Sequence, residues 1–498
     1  MKKLLLLAAA VFLATLAAAE SGPAMLQQIA SRLTPNDLKA DVSFLASDAL
    51  EGRATPSPGL DIAAEYIAAQ FRRAGLEPAG DDGYFQTASY ANVTPNAEGM
   101  EFTVESSAGT FTARSISMAL QQAAAADLNK TPVVKVLGTN AAALAALTPD
   151  QVRGKVLVLD FPEGSNPVML ARQLPAIAAR LQPALVVLLR SGGQPTTMSA
   201  RMRAVTAAPT VPVMVVWDET VRKALGAGKP APVDALVSAH IRPPASTPVK
   251  VRNVVGVLRG SDPALRDTYV MLTAHYDHLG NSGLCHPAAS DSICNGANDD
   301  ASGTASVIEV ANALAVLPTR PRRSIVFVTF FGEELGLVGS RYYAAHPVFP
   351  LSQTVADLNL EQLGRTDVDG GESVGLVNVT GFDFSTLTGA VAKAGAVTGL
   401  QVVKNEQLNE RYFAQSDNQA LADAGVPAHT LSVGYEFPDY HHPADEWPKL
   451  DYNNLAMVDR TVALAVYQVA DSTATPEWKD MPATQRYIRA RQDSLGVK

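Results

Sequence analysis

Residues 324–336 read SIVFVTFFGEELG. Ser324 to Phe330 form a β-branched and aromatic run with the length and composition of a buried strand. Behind it come Gly332, two adjacent glutamates, Glu333 and Glu334, and Gly336. A carboxylate at the end of a buried strand is costly without a partner. Two side by side each resist ionising. The pair therefore needs a positive group beside it, or chemistry to perform.

Two other segments repeat the form. YVMLTAHYDHLG, 269–280, ends its apolar run in His275 and Asp277. TVADLNLEQLG, 354–364, ends in Glu361. Helix-like stretches, SGTASVIEVANALAVL and GLVGSRYYAAH, follow the first two. Strands alternating with helices predict an α/β fold: a mixed, mostly parallel sheet flanked by helices on both faces. In such sheets ligands bind at the carboxyl ends of the strands, so the ionisable residues are expected to converge at one edge.

The chain has 498 residues, too many for one ordinary core. It is 47% hydrophobic and 18% charged, with formal net charge −9. That is a globular composition without a basic patch, which argues against a nucleic-acid partner. The start, MKKLLLLAAAVFLATLAAAE, has two lysines, an apolar run and small residues, the pattern of a secretory signal peptide over 1–19. The run is shorter than the ~20 residues that span a bilayer, so export to the periplasm or medium is expected, without stable membrane insertion after cleavage. The two cysteines, Cys285 and Cys294, are expected to form a disulfide there. The sequence assigns no oligomeric state.

LKADVSFLA and GLDIAAEYIAAQFRRAG predict helices, the second stopped by Gly75. Short strands are expected near 98–116. PVVKVLG, GKVLVLDF, ALVVLL and PVMVVW are β-branched runs in a block free of His, Asp or Glu clusters. The expected division is a catalytic domain of 20–115 and 250–475, an inserted β/α domain of 116–249, and a charged tail of 476–498.

Candidate ligands come from five segments: His275, Asp299 in NGANDDASG, Glu333 and Glu334, Glu361, and His441 in DYHHPADEW. Mixed imidazole and carboxylate ligands suit Zn²⁺. Three carboxylates and two histidines exceed the needs of one ion and suit two, with Asp299 as the bridge before a helix start. Asp277 is placed to hold the other nitrogen of His275. Glu334 would bind metal and Glu333 would act as general base. Any one of these segments alone reads as a solvated loop or a helix cap. His278, like the remaining histidines, reads as a non-ligand.

In this order, AHYDHLG, GANDDASGTA, FFGEELGLVGS, NLEQLGR and YHHPADEW resemble the M28 zinc aminopeptidases. FLASDALEGRATPSPGLDIAAEYIAAQFRRAGLEPAG resembles the N-terminal helices of secreted bacterial members, and VRGKVLVLDF with LQPALVVLL looks like a protease-associated (PA) insert. The resemblance implies a phosphorylase/hydrolase-like fold, peptide substrates and two zinc ions. His275 and Glu361 would hold one ion, Glu334 and His441 the other, with Asp299 shared. It further implies Asp300 as a supporting neighbour, often after a cis peptide bond, and Tyr440 as a donor to the developing oxyanion. The family usually has Asp in place of Glu361, which changes how the carboxylate meets a substrate amine. Its SDH triplet appears as Ser416-Asp417-Asn418, which makes Asp417 and the nearby Arg411 candidate substrate contacts. A carboxypeptidase or dipeptidase, a glutaminyl cyclase-like enzyme and a non-catalytic binding protein remain as other readings of the same scaffold.

Overall fold

The computed structural model describes residues 25–496, apart from residues 26, 123, 164–172, 192–200, 205–210, 230–232, 287, 289, 369–370 and 406–408. The leader read at 1–19 lies outside the described residues. Chain contacts divide the protein into two units, Met1–Ala88 with Lys250–Lys498, and Ser89–Val249. Among the described residues no helix is long and apolar enough to cross a membrane.

The first unit is built on a mixed sheet. From one edge its strands are Gln401–Val403, Leu376–Val379, Ala428–Ser432, Thr354–Leu360, Tyr269–His275, Ser324–Phe330 and Ala245–Leu258. The central four, from Ala428–Ser432 to Ser324–Phe330, are parallel. Ala245–Leu258 and Leu376–Val379 join antiparallel on either side. Tyr269–His275, Ser324–Phe330 and Thr354–Leu360 are buried along their whole length, as unbroken apolar runs require when helices cover both faces. On one face Tyr269, Met271, Val326, Val328 and Phe330 share a core with Tyr343, Leu421, Trp478 and Tyr487. Helices Gly303–Ala315 and Tyr452–Asp471 pack against the same strands.

The expected helices form for local reasons. Pro58–Ala74 begins where Ser57 Oγ accepts from the Leu60 N–H at 3.1 Å, with Pro58 in the first turn. Its buried stripe includes Leu60, Ala63, Ala64, Ile67 and Phe71, and Gly75 closes it at φ 75°. Gly303 opens the next helix. A Cβ there would lie 2.5 Å from Asp300 Oδ2 and 2.6 Å from Leu360 O. Only glycine lets this helix start against the strand that carries Glu361.

The second unit has its own eight-stranded sheet. Ala126–Leu137, Val156–Phe161, Leu185–Arg190 and Val213–Val216 run parallel at its centre, and they are the β-branched runs read from the sequence. This unit begins earlier than the expected residue 116. Glu101–Ser106 pairs with Gly109–Thr112 and with Ala235–Ile241, so the strands near 98–116 belong to this sheet and not to the catalytic one.

Asp459, in the Tyr452–Asp471 helix, is fully buried. Burial pushes its carboxyl up to about 8, with Ser306 and Arg460 opposing and Glu309 adding. The folded protein thus holds a proton on Asp459 that an unfolded carboxyl, titrating near about 3.9, releases. The group's contribution to stability falls as pH rises from about 4 to about 8. Asp459→Asn keeps the shape of the protonated acid. It is expected to flatten the fall of Tm over that range and to raise Tm at the alkaline end. Thermal melts of both proteins at several pH values check this.

Candidate metal centre

Three neighbouring parallel strands end at one edge of the sheet. Tyr269–His275 ends in His275 itself. Ser324–Phe330 is followed by Glu333 and Glu334, and Thr354–Leu360 by Glu361. Asp299 enters from the segment before the Gly303–Ala315 helix, across a cis Asp299–Asp300 peptide. His441 comes from the loop after Ala428–Ser432, with left-handed backbone at φ 60°.

The two Asp299 oxygens face different histidines. Oδ1 is 3.2 Å from His275 Nε2 and Oδ2 is 3.4 Å from His441 Nε2. Glu334 Oε2 is also 3.4 Å from His441 Nε2. Two groups of possible ligands result, His275 with Asp299 and Glu361, and His278 with Asp299 and Glu334, each with its atoms within 4.8 Å of one another. Asp299 belongs to both. His275 Nε2, His441 Nε2, Glu334 Oε1 and both ring nitrogens of His278 are buried without a hydrogen-bond partner. Unpaired buried lone pairs facing carboxylates fit a pair of cations, and this mixture of nitrogen and oxygen donors fits zinc.

The electrostatics agree. Burial pushes Glu333 well above the usual carboxylate range, His275 opposes this, and Glu334 and Glu361 add to it. Burial likewise raises Glu334 to about 8 and Glu361 to about 7, in each case with Asp299 adding. Asp299 is the exception. Burial pushes it up too, but His275 and His441 together hold it well below the usual range.

Several side chains fix these groups in place. Asp277 meets His275 as expected, with its backbone oxygen 3.2 Å and its carboxylate 3.6 Å from Nδ1. The same carboxylate accepts from the Glu333 N–H at 3.1 Å. Asp300 is turned away from the histidines and accepts from the Gly303 and Gln362 N–H groups. Thr304 Oγ1 donates to His275 O at 2.7 Å.

Tyr440 and Glu333 line one pocket, with Asp299, Glu361, Ser416 and others. Asp417 is not part of that lining. It is fully buried and accepts from Ser340 Oγ. The side chains of adjacent residues diverge there, and Ser416 faces the pocket in its place. Arg411 is exposed, 3.7 Å from Glu436, and is also absent from the lining.

Three residues at the centre were not singled out from the sequence. His278 is completely buried with Nδ1 2.7 Å from Glu334 Oε1, and burial lowers it to about 4. Its position three residues after His275, in HYDH, was the available signal. Asp445 accepts from the Asn298 and Asp299 N–H groups at 3.0 and 3.1 Å and so sets the backbone of the shared aspartate. Arg53, fully buried, donates to Tyr276 O, Asn295 O and Gly296 O at 2.8, 2.8 and 3.1 Å. It joins the loops on both sides of the centre.

A parallel sheet whose strand ends gather imidazoles and carboxylates around a shared aspartate defines a metallohydrolase type of centre. Residues 253–466 match the sequence model of peptidase family M28, and the chain carries that family's domain there. Over 143 residues it is 37% identical to a probable zinc metalloprotease of Leptosphaeria maculans, covering 28% of this chain and 31% of that protein. Over 234 residues it is 25% identical to aminopeptidase YwaD of Bacillus subtilis, covering 45% and 46%. The chain thus spans less than half the length of these curated relatives. A solved aminopeptidase from Aneurinibacillus sp. strain AM-1 has the same fold, with TM-score 0.58 at 19% identity, over 92% of this chain and 98% of that one.

The expected disulfide is present between Cys285 and Cys294. Its loop grips the backbone of His441. The His286 N–H donates to His441 O at 3.1 Å, and Cys294 Sγ lies 3.4 Å from the same oxygen. Replacing both cysteines by serine is expected to cost about 2–3 kcal/mol of stability and to weaken retention of zinc by the protein. Urea unfolding and a chelator competition on the same protein check the two effects separately.

Proposed function

We propose that the chain is an exported di-zinc aminopeptidase that removes N-terminal residues from peptides. The observation that carries this is the shared aspartate, whose two oxygens each meet a different histidine, with Glu361 on one side and Glu334 on the other. His275, Asp299 and Glu361 would hold one ion. Asp299, Glu334 and His441 would hold the second, with His278 against Glu334. When bound, the ions would supply Lewis-acid polarisation of the scissile carbonyl and a water more acidic than bulk.

The protein does the rest. Glu333 is buried, is fixed through its N–H by Asp277, and lines the pocket. Its raised proton affinity suits it to take a proton from the attacking water and deliver it to the leaving amine. Tyr440, in the same lining, donates its hydroxyl proton to the oxyanion that develops. Export is supported by the leader pattern in the sequence, and an oxidised Cys285–Cys294 pair suits it. The second unit is read as a protease-associated insert, and among its described residues no cluster of metal ligands occurs.

A carboxypeptidase would need a cation for the substrate carboxylate. Among the described residues lining the pocket there is neither lysine nor arginine, which favours the aminopeptidase. A non-catalytic role is disfavoured because a chain that only bound a partner would have no need to bury Glu333 beside His275, Asp299 and Glu361.

Metal analysis of the purified protein is expected to find two zinc ions per chain, and fewer than one in Asp299→Asn. Two ions retained by that variant would remove Asp299 as the bridge. The activity is tested on one peptide with a free and with an acetylated N-terminus. Chelator-sensitive release of the first residue from the free form only is expected. Glu333→Gln should lower kcat by ~10³-fold or more while zinc content is kept. Equal cleavage of both forms would reject the reading.

A further inference from the structure

Beside the metal centre lies a pocket of about 480 Å³ of open space. Away from Asp299, Glu333 and Glu361, its walls carry hydroxyls, amides and tyrosines: Gln362, Thr380, Gln415, Ser416, Thr430 and Ser432 among them. Among the described residues no aliphatic side chain lines it, and beyond the metal centre no charged one does.

Gln362 is the informative residue. It follows Glu361 with left-handed backbone at φ 55° and is 4% exposed. Its Nε2 donates to Glu361 Oε1 at 3.3 Å. A carboxylate is an acceptor, so this contact orients the amide nitrogen toward Glu361 and the oxygen away from it. That oxygen, Oε1, is buried without a hydrogen-bond partner. An unpaired buried acceptor is costly, and a ligand N–H or O–H would relieve it. Thr380 supplies the complement. Its Oγ1 accepts from the Thr430 N–H at 2.9 Å, which leaves its own O–H proton to donate. Tyr412 and Tyr435 stack in parallel at 4.6 Å and form a flat wall. An acceptor, a donor and a flat aromatic wall match a planar primary carboxamide.

We infer that Gln362, with Thr380, makes this pocket selective for peptides whose first residue ends in a carboxamide, glutamine or asparagine. The inference rests on the aminopeptidase reading, because it places the first side chain in the pocket beside the metal centre. An apolar side chain of similar length would leave Gln362 Oε1 dry and unpaired, and such a loss of polar complementarity is strongly selective.

The test compares kcat/KM of the zinc-loaded full chain on glutaminyl, methionyl, leucyl and lysyl 4-nitroanilides. Methionine matches glutamine in length but has no donor. A glutaminyl-to-methionyl ratio of ~10 or more is expected, falling to about one in Gln362→Met and partway in Thr380→Val. Methionine or leucine cleaved as well as glutamine would overturn the selectivity and leave the aminopeptidase standing. Lysine cleaved faster than glutamine would assign the pocket to the acidic centre and overturn it likewise. No release from any of the four would overturn both readings. The wild-type ratio decides by itself should a variant fail to fold.

Discussion

Carboxylates buried together are the constraint on which this structure depends. Asp299, Glu333, Glu334, Glu361 and Asp300 meet at one sheet edge, and all but Asp299 are pushed above their ordinary range. Two like charges 4 Å apart cost about 4 kcal/mol even at an effective dielectric of 20. No rearrangement of hydrogen bonds cancels several such terms. Cations held between the carboxylates and the unpaired imidazole nitrogens would, and they would turn a destabilising cluster into a working one.

The chain tolerates that cluster because its surroundings are rigid. Backbone N–H groups hold Asp300 and Asp445, and Asp445 in turn holds the N–H of Asp299. A polar stack within the sheet continues this support. Thr273 Oγ1 lies 3.0 Å from both Asp357 Oδ1 and Asn359 Oδ1, and Asn359 donates to Ser416 Oγ and Thr430 Oγ1. Ser416 and Thr430 are pocket walls, so the pocket's hydroxyls are aimed from inside the core and not by a surface loop.

Much of this was legible in the sequence because the signals are local. An apolar run that ends in an ionisable residue and then a glycine gives strand and edge at once, which placed His275, Glu334 and Glu361 at neighbouring strand ends. The parts that escaped depend on distant contacts. His278 is unremarkable as a lone histidine and gains meaning only from Glu334 across the loop. Arg53 and Asp445 gain their roles only from partners far along the chain, Arg53 from Tyr276, Asn295 and Gly296 and Asp445 from Asn298 and Asp299. The direction of Asp417 could not be read, since the neighbouring side chains turn opposite ways. The second unit's first strands were misassigned because their partner, Ala235–Ile241, lies about 130 residues downstream.

Arg53 also bears on how the molecule is made. Its carbonyl partners at the metal centre lie 223 to 243 residues further along the chain, beyond all of the second unit. During synthesis from the N-terminus, that guanidinium has Leu45 O beside it from the start, while its partners at the centre exist only after more than half of the protein has been made. The second unit closes its own sheet in the interval, since its strands pair among themselves. The carbonyls of Tyr276, Asn295 and Gly296 therefore tie the N-terminal segment to the loops of the centre only late in synthesis.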